Sequence, residues 1–169
     1  YRLIFFKKLS ILIYYVNISY QINFMNKLLY LKDAQIKDFI EKLFYAYRET
    51  FADPKKILNK HSFGIAHLKA LHLISKYEGL TITELILKLK ITKQSLNRVL
   101  QELYKSNVII YKKGQEDSRH KHVYLSAKGK ILSNEIFYEQ KKRIYKALKN
   151  SNSNAVLNFN EVIQKIING

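Results

Sequence analysis

The sequence predicts a mainly α-helical chain carrying one small β-hairpin, and three observations support that class. Apolar residues recur at three- and four-residue spacing along most of the chain, the pattern of helices that bury one stripe. One region changes period to the β-rich runs VIIYKK and HVYLS around the turn-prone GQEDSRHK. Two short helical segments stand directly before that hairpin, each opened by a threonine placed to cap it. At 169 residues the chain fits one domain over 25–169, with 47% hydrophobic residues to build its core.

Residues 1–24, YRLIFFKKLSILIYYVNISYQINF, are apolar and aromatic and precede Met25, the single methionine. Three readings stay open: a membrane or signal segment, a packing arm, or residues upstream of the natural start, the last being favoured. The longest uncharged run, Leu9 to Asn26, barely reaches bilayer length and is broken by Ser10, Asn17, Ser19, Gln21 and Asn23, so no membrane association is expected.

A helix over 31–51 carries Ile36, Phe39, Ile40, Leu43, Phe44 and Tyr47 as an apolar stripe too wide for a free surface helix. Asp53-Pro54 ends it, since proline restricts the residue before it, and a loop is expected to Ser62. The next helix, about 62–77, is read with Phe63, Ala66, Ala70, Leu73 and Tyr77 on its buried side and Gly79 as its stop. His61, His67 and His72 are spaced too irregularly to share a face, and the chain has no cysteine, so neither a metal nor a cofactor is expected. The absence of cysteine also excludes disulfides and thiol-based sensing.

In TITELILKL, Thr81 and Glu84 form a capping box, and Ile82, Leu85, Ile86 and Leu89 share one face. After Lys90 and Ile91 a second helix opens at Thr92, with Leu96, Val99, Leu100 and Leu103 as its apolar row. Gln94, Asn97, Arg98 and Gln101 form a second row that is polar and free of acid. Such a helix anchors by one side and offers amide and guanidinium groups suited to base edges; a solvated surface helix is the plainer reading of the same pattern. The hairpin that follows gathers Lys112, Lys113, Arg119, His120, Lys121 and His122, cations suited to phosphate and minor-groove contact. Two helices and a hairpin in this order form a winged helix-turn-helix over 62–126. Phosphate contacts are expected from Thr92, Ser95, Lys112, Lys113 and Lys121, base contacts from Gln94, Asn97 and Arg98, and Lys93 is counted with them as DNA-binding.

Beyond the hairpin, a long helix from Ala127 to about Leu148 sets Leu132, Ile136, Ile144 and Leu148 on one row. A polar break, NSNSN, leads to a last helix with Val156, Phe159, Ile163 and Ile166 on one face. These terminal helices, with 31–51, are too apolar to stand alone and are expected to pair with a second copy, giving a two-fold homodimer across 31–51 and 127–169.

The run TITELILKLKITKQSLNRVLQELYKSNVI, followed by QEDSRHKHVYLSAKG, resembles the DNA-binding core of MarR-type bacterial transcriptional regulators, and the likeness extends over about 32–169. Its most specific part is the wing pattern Asp117, Arg119, Val123, Leu125, Ser126 and Gly129. LFYAYRETFADPKKIL, FGIAHLKALHLI and ITKQSLNRVL further resemble a PetP-like branch of that family. The resemblance implies a cytoplasmic homodimer that reads a pseudo-palindromic operator in double-stranded DNA. It implies that Arg119 enters the minor groove with Asp117 orienting it, and that a small aromatic effector binds near Tyr45, His67 and His72. Lys90 stands where many such proteins carry a turn glycine.

The formal charge of +17, from 30 Lys and Arg against 13 Asp and Glu, favours a polyanionic partner without choosing between nucleic acid and an anionic membrane surface. Part of this excess reflects a composition rich in Lys, Ile, Asn, Tyr and Phe, as AT-rich genomes encode. The alternative to a sequence-specific regulator is therefore a basic protein held on nucleic acid or membrane by charge alone. No phosphate loop, dinucleotide fingerprint, nucleophile elbow or HExxH run is present, and no enzymatic role is expected.

Overall fold

The structure, a computed structural model, describes residues 11, 13–22, 32–113 and 121–169. The expected wing-tip residues Asp117, Arg119 and His120 lie outside the described residues, as does part of the N-terminal stretch. In chain order the elements are α1 (Asp33–Ala52), α2 (Lys55–Lys60), α3 (Ile65–Lys76), β1 (Leu80–Thr81), α4 (Ile82–Leu89), α5 (Lys93–Lys105), β2 (Ile109–Lys113), β3 (Lys121–Leu125), α6 (Ala127–Lys149) and α7 (Ser153–Asn168).

Two compact units divide between Arg48 and Glu49, inside α1. In the first, residues 13–22 are helical, and none of its described side chains is buried. Ile36, Phe39, Ile40 and Phe44, the stripe expected to be covered, are exposed in the single chain.

The second unit holds the core, in which Leu68, Leu71 and Ile74 of α3 meet Leu85 of α4, Leu96, Leu100 and Leu103 of α5, Val108, Ile109 and Val123 of the hairpin, and Leu132 and Ile136 of α6. Each of these side chains contributes about 1.5–3 kcal/mol by leaving water. The sheet is antiparallel in the order β1-β3-β2, pairing Leu80 with Val123, Ile109 with Leu125 and Lys113 with Lys121.

Two expectations need correction. The segment after Pro54 is the one-and-a-half-turn helix α2, not a loop: proline fits a helix start, where its missing N–H costs nothing, and Leu58 is buried. Helix α3 begins at Ile65, with Gly64 as N-cap, and its buried face is His67, Leu68, Ala70, Leu71 and Ile74; Ala66 and Tyr77 are exposed. Because α3 is apolar most of the way round, spacing alone offered two competing stripes. Strand β1 is only two residues long, too short to produce a period in sequence.

Candidate nucleic-acid interface

Helix α4 is held at its start by a reciprocal cap. The Thr81 hydroxyl accepts from the Glu84 amide at 3.2 Å, and the Glu84 carboxylate accepts from the Thr81 amide at 2.7 Å and its hydroxyl at 2.8 Å. The Thr81 amide, with smaller help from the hydroxyl, holds the Glu84 carboxyl below the usual carboxylate range. The turn into α5 is made by Lys90 in the left-handed region, φ 52° and ψ 45°, which is why a glycine suits this position. Thr92 then caps α5, its hydroxyl accepting from the Ser95 amide at 3.2 Å and donating to the Ser95 hydroxyl at 2.9 Å.

This turn aims α5. Leu96, Val99, Leu100 and Leu103 are buried, while Lys93, Gln94, Ser95, Arg98 and Gln101 are exposed and Asn97 is half-buried. The expected split between a buried row and an exposed polar side is therefore present. The face is not acid-free, however. Glu102, one turn beyond Arg98, accepts from the Arg98 Nε at 3.2 Å, and its other oxygen lies 2.8 Å from Nε2 of His67. Arg98 chiefly, and His67 behind it, hold the Glu102 carboxyl below its ordinary range. The Arg98–Glu102 spacing was legible as an i,i+4 pair, but nothing in sequence announced His67 as its third member.

On the hairpin, Lys112, Lys113 and Lys121 are exposed. Lys113 and Lys121 face each other across the strands, a like-charge pairing whose repulsion a bound phosphate would offset. The Lys112 ammonium sits over the Tyr124 ring, 4.7 Å from its centroid, which limits where it can reach. His122 does not belong to this cationic cluster: its Nδ1 donates to the Gly79 carbonyl at 2.7 Å, tying the hairpin to the left-handed glycine that ends the turn after α3.

The hairpin is docked on α6 through the Leu125-Ser126-x-x-Gly129 signature. Ser126 caps α6 by accepting from the Gly129 amide at 2.9 Å and donates its hydroxyl to the Asn107 carbonyl at 2.6 Å. A side chain at Gly129 would meet the Val108 carbonyl oxygen at 2.0 Å, so only glycine permits this approach.

Of the residues expected around an effector, His72 lines a cleft of about 440 Å³ walled by Phe51, Phe137, Ile144, Tyr145 and Leu148, with Lys141 at its edge. It also lines an adjoining, more polar hollow of about 230 Å³ with Ser75, Lys76, Ser133 and Asn134. His67 is absent from both linings: its buried ring stacks on Phe63 at 4.7 Å and its Nδ1 accepts from the Gly64 amide at 3.1 Å. Tyr45 belongs to the first unit and donates to Glu41 at 2.6 Å. No group of three His, Cys, Asp or Glu is placed to hold a metal ion among the described residues. No helix among them is long and apolar enough to cross a membrane.

A capped pair of helices, the second with a buried and an exposed polar face, joined to a cationic three-stranded hairpin sheet, defines a winged helix-turn-helix protein. The MarR family model matches residues 62–120. The HTH-type transcriptional regulator PetP of Rhodobacter capsulatus is 40% identical over 140 residues, covering 83% of this chain and 84% of that protein. The chain belongs to the MarR family and is a MarR-type transcriptional regulator. Among solved structures, a MarR-family regulator from Silicibacter pomeroyi superposes with a TM-score of 0.66 at 16% identity, covering 79% of this chain and 89% of that one. The Staphylococcus aureus MarR in complex with salicylate and kanamycin gives 0.65 at 22%, covering 79% and 91%. NadR in complex with 4-hydroxyphenylacetate gives 0.64 at 21%, covering 74% and 89%. At these identities the likeness is one of fold.

Proposed function

We propose that the protein is a cytoplasmic homodimer that reads a pseudo-palindromic operator by laying one α5 from each subunit in successive major grooves. The observation that carries this reading is the division of α5, whose leucine row is sunk in the core while Gln94, Arg98 and Gln101 project from the opposite side. Thr92, Lys93, Ser95, Lys112, Lys113 and Lys121 surround that row with donors for phosphates, and in this reading Arg119 enters the minor groove, oriented by Asp117 and with His120 beside it in sequence. Dimerisation is supported by the terminal helices. Helix α7 buries no residue, and Leu157, Phe159, Val162 and Ile166 are exposed in the single chain, as are Ile36 and Phe39 of α1. A two-fold partner that covers these faces also sets two reading helices about one DNA turn apart.

The cleft beside His72 fits a small aromatic acid, with Phe51, Phe137 and Tyr145 stacking on its ring and Lys141 meeting its charge. Two fold neighbours carry aromatic acids, salicylate and 4-hydroxyphenylacetate.

Selection of bound sequences from a random duplex pool at about 150 mM salt, where charge-driven binding is weakened, tests the operator claim. A palindrome is expected to be enriched, and lost in Arg119→Ala. Salt-sensitive retention of DNA with no enriched sequence would leave a charge-driven binder as the better account.

A further inference from the structure

Resting on the reading of α5 as the groove helix, we propose that Glu102 is a specificity-determining positioning residue. It holds the Arg98 guanidinium by its Nε edge, so that the two terminal nitrogens meet a guanine end-on.

An exposed arginine and glutamate one turn apart on a helix usually form a loose pair. This pair differs because the carboxylate is held from behind. Its Oε2 lies 2.8 Å from Nε2 of His67, which projects from α3 and whose side chain is only 10% exposed. That ring is itself fixed. It stacks on Phe63 with 15° between planes, and its Nδ1 faces the Gly64 amide at 3.1 Å. An amide nitrogen can only donate, so Nδ1 accepts, the ring proton sits on Nε2, and Nε2 donates to Glu102. One carboxylate oxygen is thus anchored to the core, and the other accepts from Arg98 Nε at 3.2 Å.

The consequence lies in what remains of the guanidinium. With Nε engaged, its available donors are the paired terminal N–H groups of a rigid planar fork, at the end of a side chain that is 85% exposed. In the major groove, guanine alone offers two adjacent acceptors, O6 and N7, that match such a fork; adenine, thymine and cytosine each offer at most one. The neighbouring acid also argues against a phosphate role. A carboxylate 3.2 Å from Arg98 cancels much of the charge that would attract DNA backbone, whereas it costs little in a contact to a neutral base edge.

The test uses the full chain in wild-type, Glu102→Gln and Arg98→Ala forms, each checked by thermal melting, with selection followed by competition between single-base operator variants. A glutamine offers one acceptor oxygen and an amide nitrogen that only donates, so it cannot accept from His67 and Arg98 on separate oxygens as the carboxylate does. Arg98→Ala is expected to flatten a guanine preference at one base pair of each half-site by about 5- to 150-fold. Glu102→Gln is expected to flatten the same base pair by about tenfold and leave the others unchanged, with random-duplex binding equal or tighter because an acid is lost. Wild-type discrimination in Glu102→Gln would overturn the proposal, as would a preference for another base at that position. Weakening of every position and of random-duplex binding together would show general damage and also overturn it. If Arg98→Ala leaves the enriched site unchanged, the inference falls and the regulator reading stands; if the wild type enriches no site, both fall.

Discussion

Replacing Gly129 by alanine is expected to destabilise the protein although the position is helical, where alanine normally gains about 1 kcal/mol over glycine. A Cβ there would lie 2.0 Å from the Val108 carbonyl oxygen and 3.0 Å from its carbon. Ordinary carbon–oxygen contacts start near about 3.3 Å, so the start of α6 would have to lift by about 1.3 Å. The obstacle is backbone at the entrance to β2, held in the core by the fully buried Val108 side chain, and cannot swing aside. Lifting α6 breaks the hydrogen bond from the Ser126 amide to the Val108 carbonyl at 3.0 Å and the one from its hydroxyl to the Asn107 carbonyl at 2.6 Å, worth about 1 kcal/mol each. It also loosens Leu132 and Ile136, now 3% and 4% exposed, at about 1 kcal/mol apiece. Against the propensity gain, the net loss is about 3 kcal/mol, which lowers Tm by about 6–12 °C for a chain of this size. Circular dichroism melts at matched protein concentration measure it, with Gly64→Ala as control because no atom lies within 4 Å of a Cβ there. An unchanged or raised Tm in Gly129→Ala would refute the close-approach account.

Lys90→Gly is expected to raise stability by about 0.5–1 kcal/mol, because φ 52° strains any residue with a Cβ; urea midpoints measure it, and no shift would refute the strain. Glu84→Gln is expected to cost about 1 kcal/mol at neutral pH through the weakened cap. Because the Glu84 carboxyl titrates lower folded than unfolded, its stabilisation is full above the usual carboxylate range and disappears as pH falls through the lowered value. The gap between wild type and Glu84→Gln should therefore narrow as pH falls below the usual carboxylate range, and a gap that widens on acidification would contradict the cap. If roughly six phosphates are neutralised per dimer, log K for DNA should fall with log salt at a slope of about −5. Lys112→Ala should reduce that slope by about 2 per dimer and weaken all sequences alike; a changed base preference would remove Lys112 from the phosphate set.

The fold class, the two capped helices and the anchor row of α5 were legible in sequence because each rests on local rules. Thr81 with Glu84 states a cap, Thr92 another, and the leucine spacing states a buried face. Helix α3 was harder: apolar on most sides, it displays no unique stripe, and only packing decides that Leu68 and Ile74 go in while Ala66 stays out. The cleft follows the same logic. His72 lines it, but Phe137 and Tyr145 come from a helix more than sixty residues away, and no periodicity reports such a meeting. His67 was expected to serve a ligand and instead caps α3 and braces Glu102, because a histidine in sequence does not say which of its nitrogens finds a partner.

The exposed face of α5 and the hairpin are thus tied to the core from behind. His122 holds the hairpin to Gly79, Ser126 and Gly129 hold it to α6, and His67 holds the carboxylate that grips Arg98. These ties use backbone carbonyls and one buried ring, groups that move only with their whole element, so the spacing between α5 and the two hairpin strands is set by packing rather than by loop length. Helix α3 takes part twice, since Leu68 and His72 line the cleft while His67, next in the chain to Leu68, faces Glu102. A rigid helix cannot shift one of these faces and spare the other. The apolar cleft and the Glu102–Arg98 pair thus share one element, α3, whose Leu68 and His72 face the one while its His67 faces the other.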